Sequence, residues 1–332
     1  MSTIGTKLTL ADWAKRVDPG GKIDKIVEMM NETNEILDDM VWLEGNLPTG
    51  HRTTIRTGLP SATWRKLNYG VQPSKSTTIQ VDDTCGMLEA YAEVDKKLAD
   101  LNGNTAEFRL SEDRAFIEAM NQEFCDILMY GDTDADPEKF LGLAPRYYDV
   151  LAGASYGNNN VLTAGGSSSV SSIWLVVWGP NTVHGIFPKG SKAGIETQDL
   201  GEVTLEDSAT PAGRYQGYRT HYKWECGLTV RDWRYIVRIA NYEQAVATTG
   251  ATTNGVTAAN LLIQAMNWIP NLNMGRAVFY CNKKLKTQFD ILASAKSNAF
   301  YQAADPFGKI QTNFMGIPIK KVDSIISETA LS

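Results

Sequence analysis

Residues 45–81 read GNLPTGHRTTIRTGLPSATWRKLNYGVQPSKSTTIQV. Glycines at 45, 50, 58 and 70 and prolines at 48, 60 and 73 break this stretch into short alternating runs, among them Thr53, Ile55, Thr57 and Thr77, Ile79, Val81. Alternation bounded by turn residues predicts a β-hairpin, with Gly58, Leu59 and Pro60 near its middle. Limbs of about 18 residues would reach roughly 60 Å at ~3.3 Å per residue. Neither face carries enough apolar side chains for a core, so the hairpin must lie against something else. Its charge also separates it from the rest of the chain. No Asp or Glu occurs between Gly45 and Val81, whereas Arg52, Arg56, Arg65, Lys66 and Lys75 give plus 5. The whole chain carries minus 6, so the remaining residues carry minus 11.

The 332 residues are 43% hydrophobic and 21% charged, a globular balance that excludes disorder and collagen-like repetition and suits about two domains. The longest strictly apolar run, Ile173 to Trp178, is far short of the roughly 20 residues of a membrane helix. Met1 to Trp13 holds no apolar core of a signal peptide, so a soluble chain not routed for secretion is expected. Cys85, Cys125, Cys226 and Cys281 lie at least 40 positions apart. That gives neither a disulfide framework nor a zinc-site spacing, and reads as buried thiols of a reducing compartment.

Before the hairpin, Thr9 caps a short helical turn through Trp13, and Asp18 to Gly21 breaks it. Ile23, Ile26, Val27, Met30, Leu37, Met40 and Val41 then recur at helical spacing, interrupted by a polar turn at Asn31 to Glu35, predicting a second helix that stops at Gly45. Cys85 to Leu101 fits strand and helix equally. Ser111, with Glu112 and Asp113 in the first turn, predicts the strongest helix, running to Tyr130 with Phe116, Ile117, Met120, Phe124, Ile127 and Leu128 as its apolar stripe. At ~1.5 Å per residue it would be a strut about 30 Å long. Ile173 to Trp178 predicts a buried strand, with Val183 to Phe187 as its hairpin partner across Gly179 to Thr182. After a glycine-rich, acidic excursion from Lys189 to Gly213, apolar and polar residues alternate from Tyr218 to Arg231, and the phase slips by one at Trp233. A bulge or tight turn near Asp232 is expected there. The last third predicts a helix from Ala258 to Ile269, a strand from Ala277 to Cys281, a helix capped by Asn282, and a strand pair around Phe314 to Val322. The expected class is α+β.

Chemistry finds little support. His51, His184 and His221 are scattered and sit in no His-Glu-x-x-His or Cys-x-x-Cys context, so each reads as a surface or sheet residue. Gly165 to Ser169 lacks the closing glycine of a nucleophile elbow, and Gly20-Gly21-Lys22 and Gly308-Lys309 lack the spacing of a phosphate-binding loop. Asp132, Asp134 and Asp136 open like a calcium loop, but Pro137 stands where glycine is needed and Leu143 where a bidentate Glu belongs. Asn31 heads a formal glycosylation triplet inside a predicted helix, which reads as coincidence. Aromatics and bases between Tyr215 and Arg238 could stack single-stranded nucleic acid, yet they fall mainly on opposite faces, which suits one buried and one solvated side. No catalytic residue, cofactor site or metal site is expected.

Taken in order, a helical arm, a cationic hairpin, a strut helix, a long β-ribbon and an α/β subdomain resemble the major capsid proteins of tailed bacteriophages, with the Hong Kong ninety-seven shell fold. The likeness spans nearly the whole chain. It rests on the joint order of Ile173–Gly179 (IWLVVWG), Val183–Gly194 (VHGIFPKGSKAG), Gly227–Asn241 (GLTVRDWRYIVRIAN) and Phe314–Ile325 (FMGIPIKKVDSI), which are similar to coat proteins of short-tailed-phage type. The resemblance implies an N-terminal arm at 1–44, an extended loop at 45–82, a peripheral domain at 83–241 with a spine helix at 111–130 and a ribbon at 215–240, and an axial domain at 242–332. The family returns a peripheral strand after the axial domain, whereas only about ten residues follow Ile319 here. Either the ribbon takes that part or the connectivity is rearranged.

The resemblance further implies a structural protein, not an enzyme, that assembles as hexamers and pentamers into the icosahedral head enclosing double-stranded DNA. Such a protein is made in the host bacterial cytoplasm and ends in the virion. A short arm implies a separate scaffolding protein; a portal and a cementing protein are further partners, with no membrane involved. The acidic remainder leaves packaged DNA only weak contacts without sequence preference. A basic, coreless hairpin on an acidic chain is stabilised by docking on a neighbour, and a head-to-tail contact of that kind closes into rings. Arg52, Arg56, Arg65, Lys66 and Lys75 are expected to hold it there, with Trp64 and Leu67 as apolar anchor. Two alternatives stand beside this reading. One is a bacterial nanocompartment shell of the same fold enclosing cargo proteins. The other is a cytoplasmic enzyme with a flexible active-site hairpin, which would need perturbed titratable groups around one pocket.

Overall fold

The structure, a computed structural model, describes residues 32, 34–101, 105–149, 160–207, 213–244, 252–294, 301–303 and 312–331. The helices expected between Thr9 and Met30 and the triplet at Asn31 lie outside these residues. The strands are β1 (Trp42–Glu44), β2 (Gly50–Gly58), β3 (Thr77–Asp95), β4 (Val161–Thr163), β5 (Val170–Trp178), β6 (Val183–Phe187), β7 (Glu196–Glu206), β8 (Arg214–Val230), β9 (Ile236–Glu243), β10 (Arg276–Cys281), β11 (Tyr301–Ala303), β12 (Thr312–Phe314) and β13 (Ile317–Lys321). The helices are α1 (Lys96–Asp100), α2 (Thr105–Tyr130), α3 (Leu143–Arg146), α4 (Thr252–Trp268) and α5 (Lys283–Ser294). Two compact units divide them. Of the described residues, one unit takes 32, 87–125 and 194–225, and the other takes 34–86, 126–193 and 226–331.

The larger unit is built around β5, whose nine residues are all buried. A strand covered on both faces needs no polar alternation, which is why Ile173 to Trp178 form a continuous apolar run, and the two serines before it are buried as well. β10 pairs with it antiparallel from Arg276↔Trp178 to Tyr280↔Trp174, and β9 pairs on its other edge from Val170↔Glu243 to Val176↔Ile236. The sheet order is β11-β12-β13-β10-β5-β6-β8-β3-β2. α4 lies against β9 with Leu262 and Ala265 buried, and α5 lies against β12 and β13 with Leu285 and Phe289 buried. The Asn282 cap is present, its Oδ1 accepting from the Leu285 N–H at 2.9 Å. β12 and β13 form the expected strand pair around Met315 and Gly316, whose φ of 48° and 88° give the left-handed turn a two-residue hairpin requires.

Several expectations need correction in this unit. β6 is not the hairpin partner of β5; the two meet only at Trp178↔Val183, in parallel sense, and β6 runs on to pair with β8 and β1. The cause lies in the turn, where the buried Thr182 hydroxyl donates to the Val177 carbonyl at 2.6 Å and aims the chain away from β5. Residues 34–41 are a turn and not the end of a helix. Asp39, its side chain fully buried, accepts from Lys320 Nζ (2.8 Å) and the Tyr280 hydroxyl (2.7 Å) and pairs with Arg276 (2.8 Å), so distant cations override the helical spacing. The last residues run along β5 and β9 as a strap: the Glu328 N–H donates to the Val170 carbonyl at 2.8 Å and its carboxylate accepts from Arg238 (2.6 Å) and Ser172 (2.5 Å).

In the smaller unit the ribbon is β7 with β8, registered antiparallel from Glu196↔Lys223 to Glu206↔Arg214. The expected 215–240 ribbon is therefore corrected: β8 and β9 are separated by a short 3-10 turn, Trp233–Tyr235, capped by the Asp232 carboxylate, and take different partners. That turn is the one the phase slip predicted. The even-numbered residues of β8 from Thr220 to Trp224 are buried, and Phe124 of α2 stacks on Trp224 with ring centroids 4.4 Å apart. β3 continues to Asp95, where the Asp95 carboxylate caps α1, so the ambiguous stretch after Cys85 is strand followed by one helical turn. α2 begins at Thr105, six residues before the expected Ser111 start. Phe108, 1% exposed, supplies the reason by inserting among Val94, Leu98 and Ala99.

Phe108 thus holds the first turns of α2 to β3 and α1. Phe108→Ala should lower stability by about 3–5 kcal/mol. Thermal melting and amide exchange check this, with faster exchange expected at residues 105–112.

Candidate assembly interface

β2 and β3 pair from Gly50↔Thr84 to Arg56↔Thr78, and the register then slips between Arg56 and Gly58. The regular stem is therefore about 25–30 Å long at ~3.3 Å per residue, roughly half the expected reach. Residues 59–76 continue as a loop without strand pairing, held across its neck by the Ser74 hydroxyl donating to the Ser61 carbonyl at 2.9 Å. At its end the Tyr69 N–H donates to the Lys66 carbonyl at 3.2 Å, with Asn68 at φ 67°. Asparagine tolerates that left-handed turn well.

The proposed contact residues divide into two groups. Trp64 is 100% exposed and Leu67 86%, and Leu59, Tyr69 and Val71 are exposed beside them. Arg56, Arg65, Lys66 and Lys75 are exposed as well. The loop thus joins a cationic rim to an apolar tip. Arg52 behaves differently: its guanidinium donates to both carboxylate oxygens of Asp82, opposite it in register, at 2.6 and 2.7 Å. Asn46 fastens the same place by accepting from the Arg52 N–H at 2.7 Å. This pairing raises the Arg52 pKa and lowers that of Asp82. Leu59, Tyr69 and Val71 were not among the expected contact residues, and their exposure beside Trp64 and Leu67 adds them to the candidates.

The other face of the stem is buried only at its root, at Thr53 and Asp83. Gly50 passes so close to β3 that a Cβ there would stand 2.0 Å from the Asp83 carbonyl oxygen. Asp83 accepts from Arg146 Nη2 at 2.7 Å in a pair 2% and 6% exposed. The scattered histidines converge in part, with the rings of His51 and His184 at 5.9 Å and 78°. Burial, then the neighbouring His51 and Arg231, holds His184 down to about 4, and burial and Arg231 lower His51 against the opposing pull of Asp83. His221 stands elsewhere, stacked on Tyr91 at 4.4 Å and 3.1 Å from Glu89. Among the described residues no three His, Cys, Asp or Glu side chains converge on a metal site, and no helix is long and apolar enough to cross a membrane.

A family model described as major capsid protein GP7 matches residues 18–331. Among solved structures, a chain of the bacteriophage Epsilon15 structure is 34% identical, with a TM-score of 0.74, and the match covers 100% of this chain and 99% of that one. The bacteriophage JBD30 capsid matches with a TM-score of 0.53 at 10% identity, covering 90% of this chain and 93% of that one, and so shares the fold. No curated protein matches the sequence.

The histidine pair sets an acid limit on the hairpin root. Unfolding returns His184 to ~6.5, so the unfolded chain binds the proton first, and stability falls as pH drops below ~6.5 until the folded group titrates at about 4. The loss should reach up to about 3 kcal/mol from this residue, with His51 adding in the same direction. Denaturant titrations from pH 7 to pH 4 check the slope, and His184→Gln should flatten it.

Proposed function

Because the chain belongs to the major capsid protein GP7 family, we infer that its hairpin is the arm through which copies of it join into a closed shell. Its role is structural, as a bacteriophage major capsid protein with the phage capsid fold, and it forms the icosahedral head shell. The observation that carries the docking role is the loop itself. Five large apolar residues stand exposed on a loop rimmed with cations, at the end of a stem whose own ion pair is closed within the chain. An apolar tip of this kind, desolvated against a neighbour, is where binding energy concentrates, and the surrounding cations select an acidic partner surface. That partner is a second copy, whose residues outside the hairpin carry the excess of negative charge.

The finer assignments follow the same reading. We take the ribbon β7–β8 with α2 as the peripheral part and move β5 and β9, expected within the peripheral 83–241, to the axial part with β10, a change that their pairing supports. The subunits form hexamers and pentamers, a separate scaffolding protein guides them, and a portal and a cementing protein complete the head. Synthesis takes place in the host cytoplasm. Double-stranded DNA inside meets a chain of net charge minus 6, so its contacts are weak and indifferent to sequence. Salt titration of the subunit with duplexes checks this; tight binding to one sequence at physiological salt contradicts it.

Trp64 and Leu67 give a clean test, since neither contributes to the subunit's own core. Trp64→Ala with Leu67→Ala should reduce particle yield at least ~10-fold while the subunit's melting temperature stays within about 1 °C. Electron microscopy and sedimentation read the first, calorimetry the second. Normal particles, or a subunit that unfolds, reject the docking arm. Arg52→Glu is a poorer probe because it would set a carboxylate opposite Asp82 and disturb the stem.

A further inference from the structure

One face of β6, β8, β3 and β2 gathers polar side chains that keep open hydrogen-bonding atoms. His184 of β6 stands opposite Thr229 of β8, and His51 of β2 stands opposite Asp83 of β3. Directly opposed residues of an antiparallel pair project to the same face. The imidazole contact at 5.9 Å joins the two pairs, and Arg146 lies across them, donating to Asp83 Oδ1 at 2.7 Å and to the Leu228 carbonyl at 3.4 Å. Within this cluster His51 Nδ1 and Nε2, Thr53 Oγ1, Asp83 Oδ2, Arg146 Nε, His184 Nδ1 and Thr229 Oγ1 are buried and make no hydrogen bond. Thr53, Asp83, Arg146, His184 and Thr229 are each at least nine-tenths buried. Native interiors do not leave seven polar atoms unmet in one place, and a marginally stable chain does not carry such a debt.

The chemistry of the open atoms selects the occupant. Arg146 Nε can only donate and Asp83 Oδ2 only accept, while the hydroxyls and imidazoles do either. An anion would meet Asp83, a cation would meet Arg146 and the nearby Arg231, and no metal-ligating trio converges there. A neutral molecule that both donates and accepts satisfies them all. We propose that these side chains enclose a hydrated chamber, in which bound water bridges β2 and β3 of the hairpin to β6, β8 and Arg146 and so fixes the hairpin's root. At about three hydrogen bonds per buried water, two or three molecules meet the open atoms.

Thr229→Val tests this in the full-length chain by the sign of its effect. Valine keeps the shape and β-branching of threonine but neither donates nor accepts. If the hydroxyl is bonded to water, the variant strands a water molecule and lowers the melting temperature by about 2–4 °C. If the chamber is dry, it removes an unmet hydroxyl, and an unchanged or raised melting temperature overturns the proposal. Thr53→Val should act in the same direction. A high-resolution density map of the wild-type chain is the second measurement. Density within hydrogen-bonding distance of both Arg146 Nε and Asp83 Oδ2 supports the site, and an empty chamber overturns it. A melting temperature that depends on chloride or phosphate at constant ionic strength would assign the density to an anion and overturn it as well.

Discussion

A hairpin without a core of its own projects from a body only if its root is clamped, and here the clamp is the ion pair of Arg146 with Asp83, both side chains almost wholly buried. Two ions out of water gain little net stability from each other, but losing either partner strands the other at a cost of about 3–5 kcal/mol. The pair therefore acts mainly by excluding other positions of β3. Adjacent residues on the same strand divide the work, since Asp82 turns outward to Arg52 while Asp83 turns inward to Arg146. The outer pair is half exposed and screened by solvent, so it adds little to stability. It closes the Arg52 charge within the chain, so the proposed docking contact is left to the loop beyond the stem.

The centre of the fold was legible because its signals are local. The apolar run from Ile173 to Trp178, the Asn282 cap and the strand pair around Gly316 each follow from side chains within a few residues of one another. What could not be read is non-local. Gly179 to Thr182 has the composition of a hairpin turn, yet a single buried hydroxyl sends the chain to a different neighbour. β7 has ten of its eleven residues at least partly exposed and Leu205 as its one buried side chain, so it shows no apolar alternation and passes for an excursion. At residues 34–41 the helical spacing is real, but the cations of β10 and β13 hold Asp39 in a turn.

The candidate interface was legible in the same unequal way. A stretch of 37 residues with five cations and no acid marks the hairpin whatever its exact shape, and Trp64 and Leu67 stand out in it as candidate anchors. Arg52 could not be distinguished from Arg56, because its partner is set by register across the stem. His51 and His184 stand 133 positions apart, and only the order β6-β8-β3-β2 brings them together. The strap from Val322 to Leu331 was not legible either: it follows β5 and β9 through Glu328 and through Asn241, which accepts from the Leu331 N–H at 2.8 Å.

A shell needs subunits that persist and contacts that can be undone until the shell closes. The larger unit meets the first need with β5 enclosed by β9 and β10. The hairpin suits the second. Burying one exposed aromatic or leucine contributes about 2–3 kcal/mol, and ordering the loop that carries it removes a comparable amount. One docked loop is then weak and reversible by itself. Closing a ring removes the last open contact at no further translational cost, so the sum over a ring holds where a single contact does not. A rigid root sharpens that difference, because motion at the base of the stem is entropy each docking event would have to remove again.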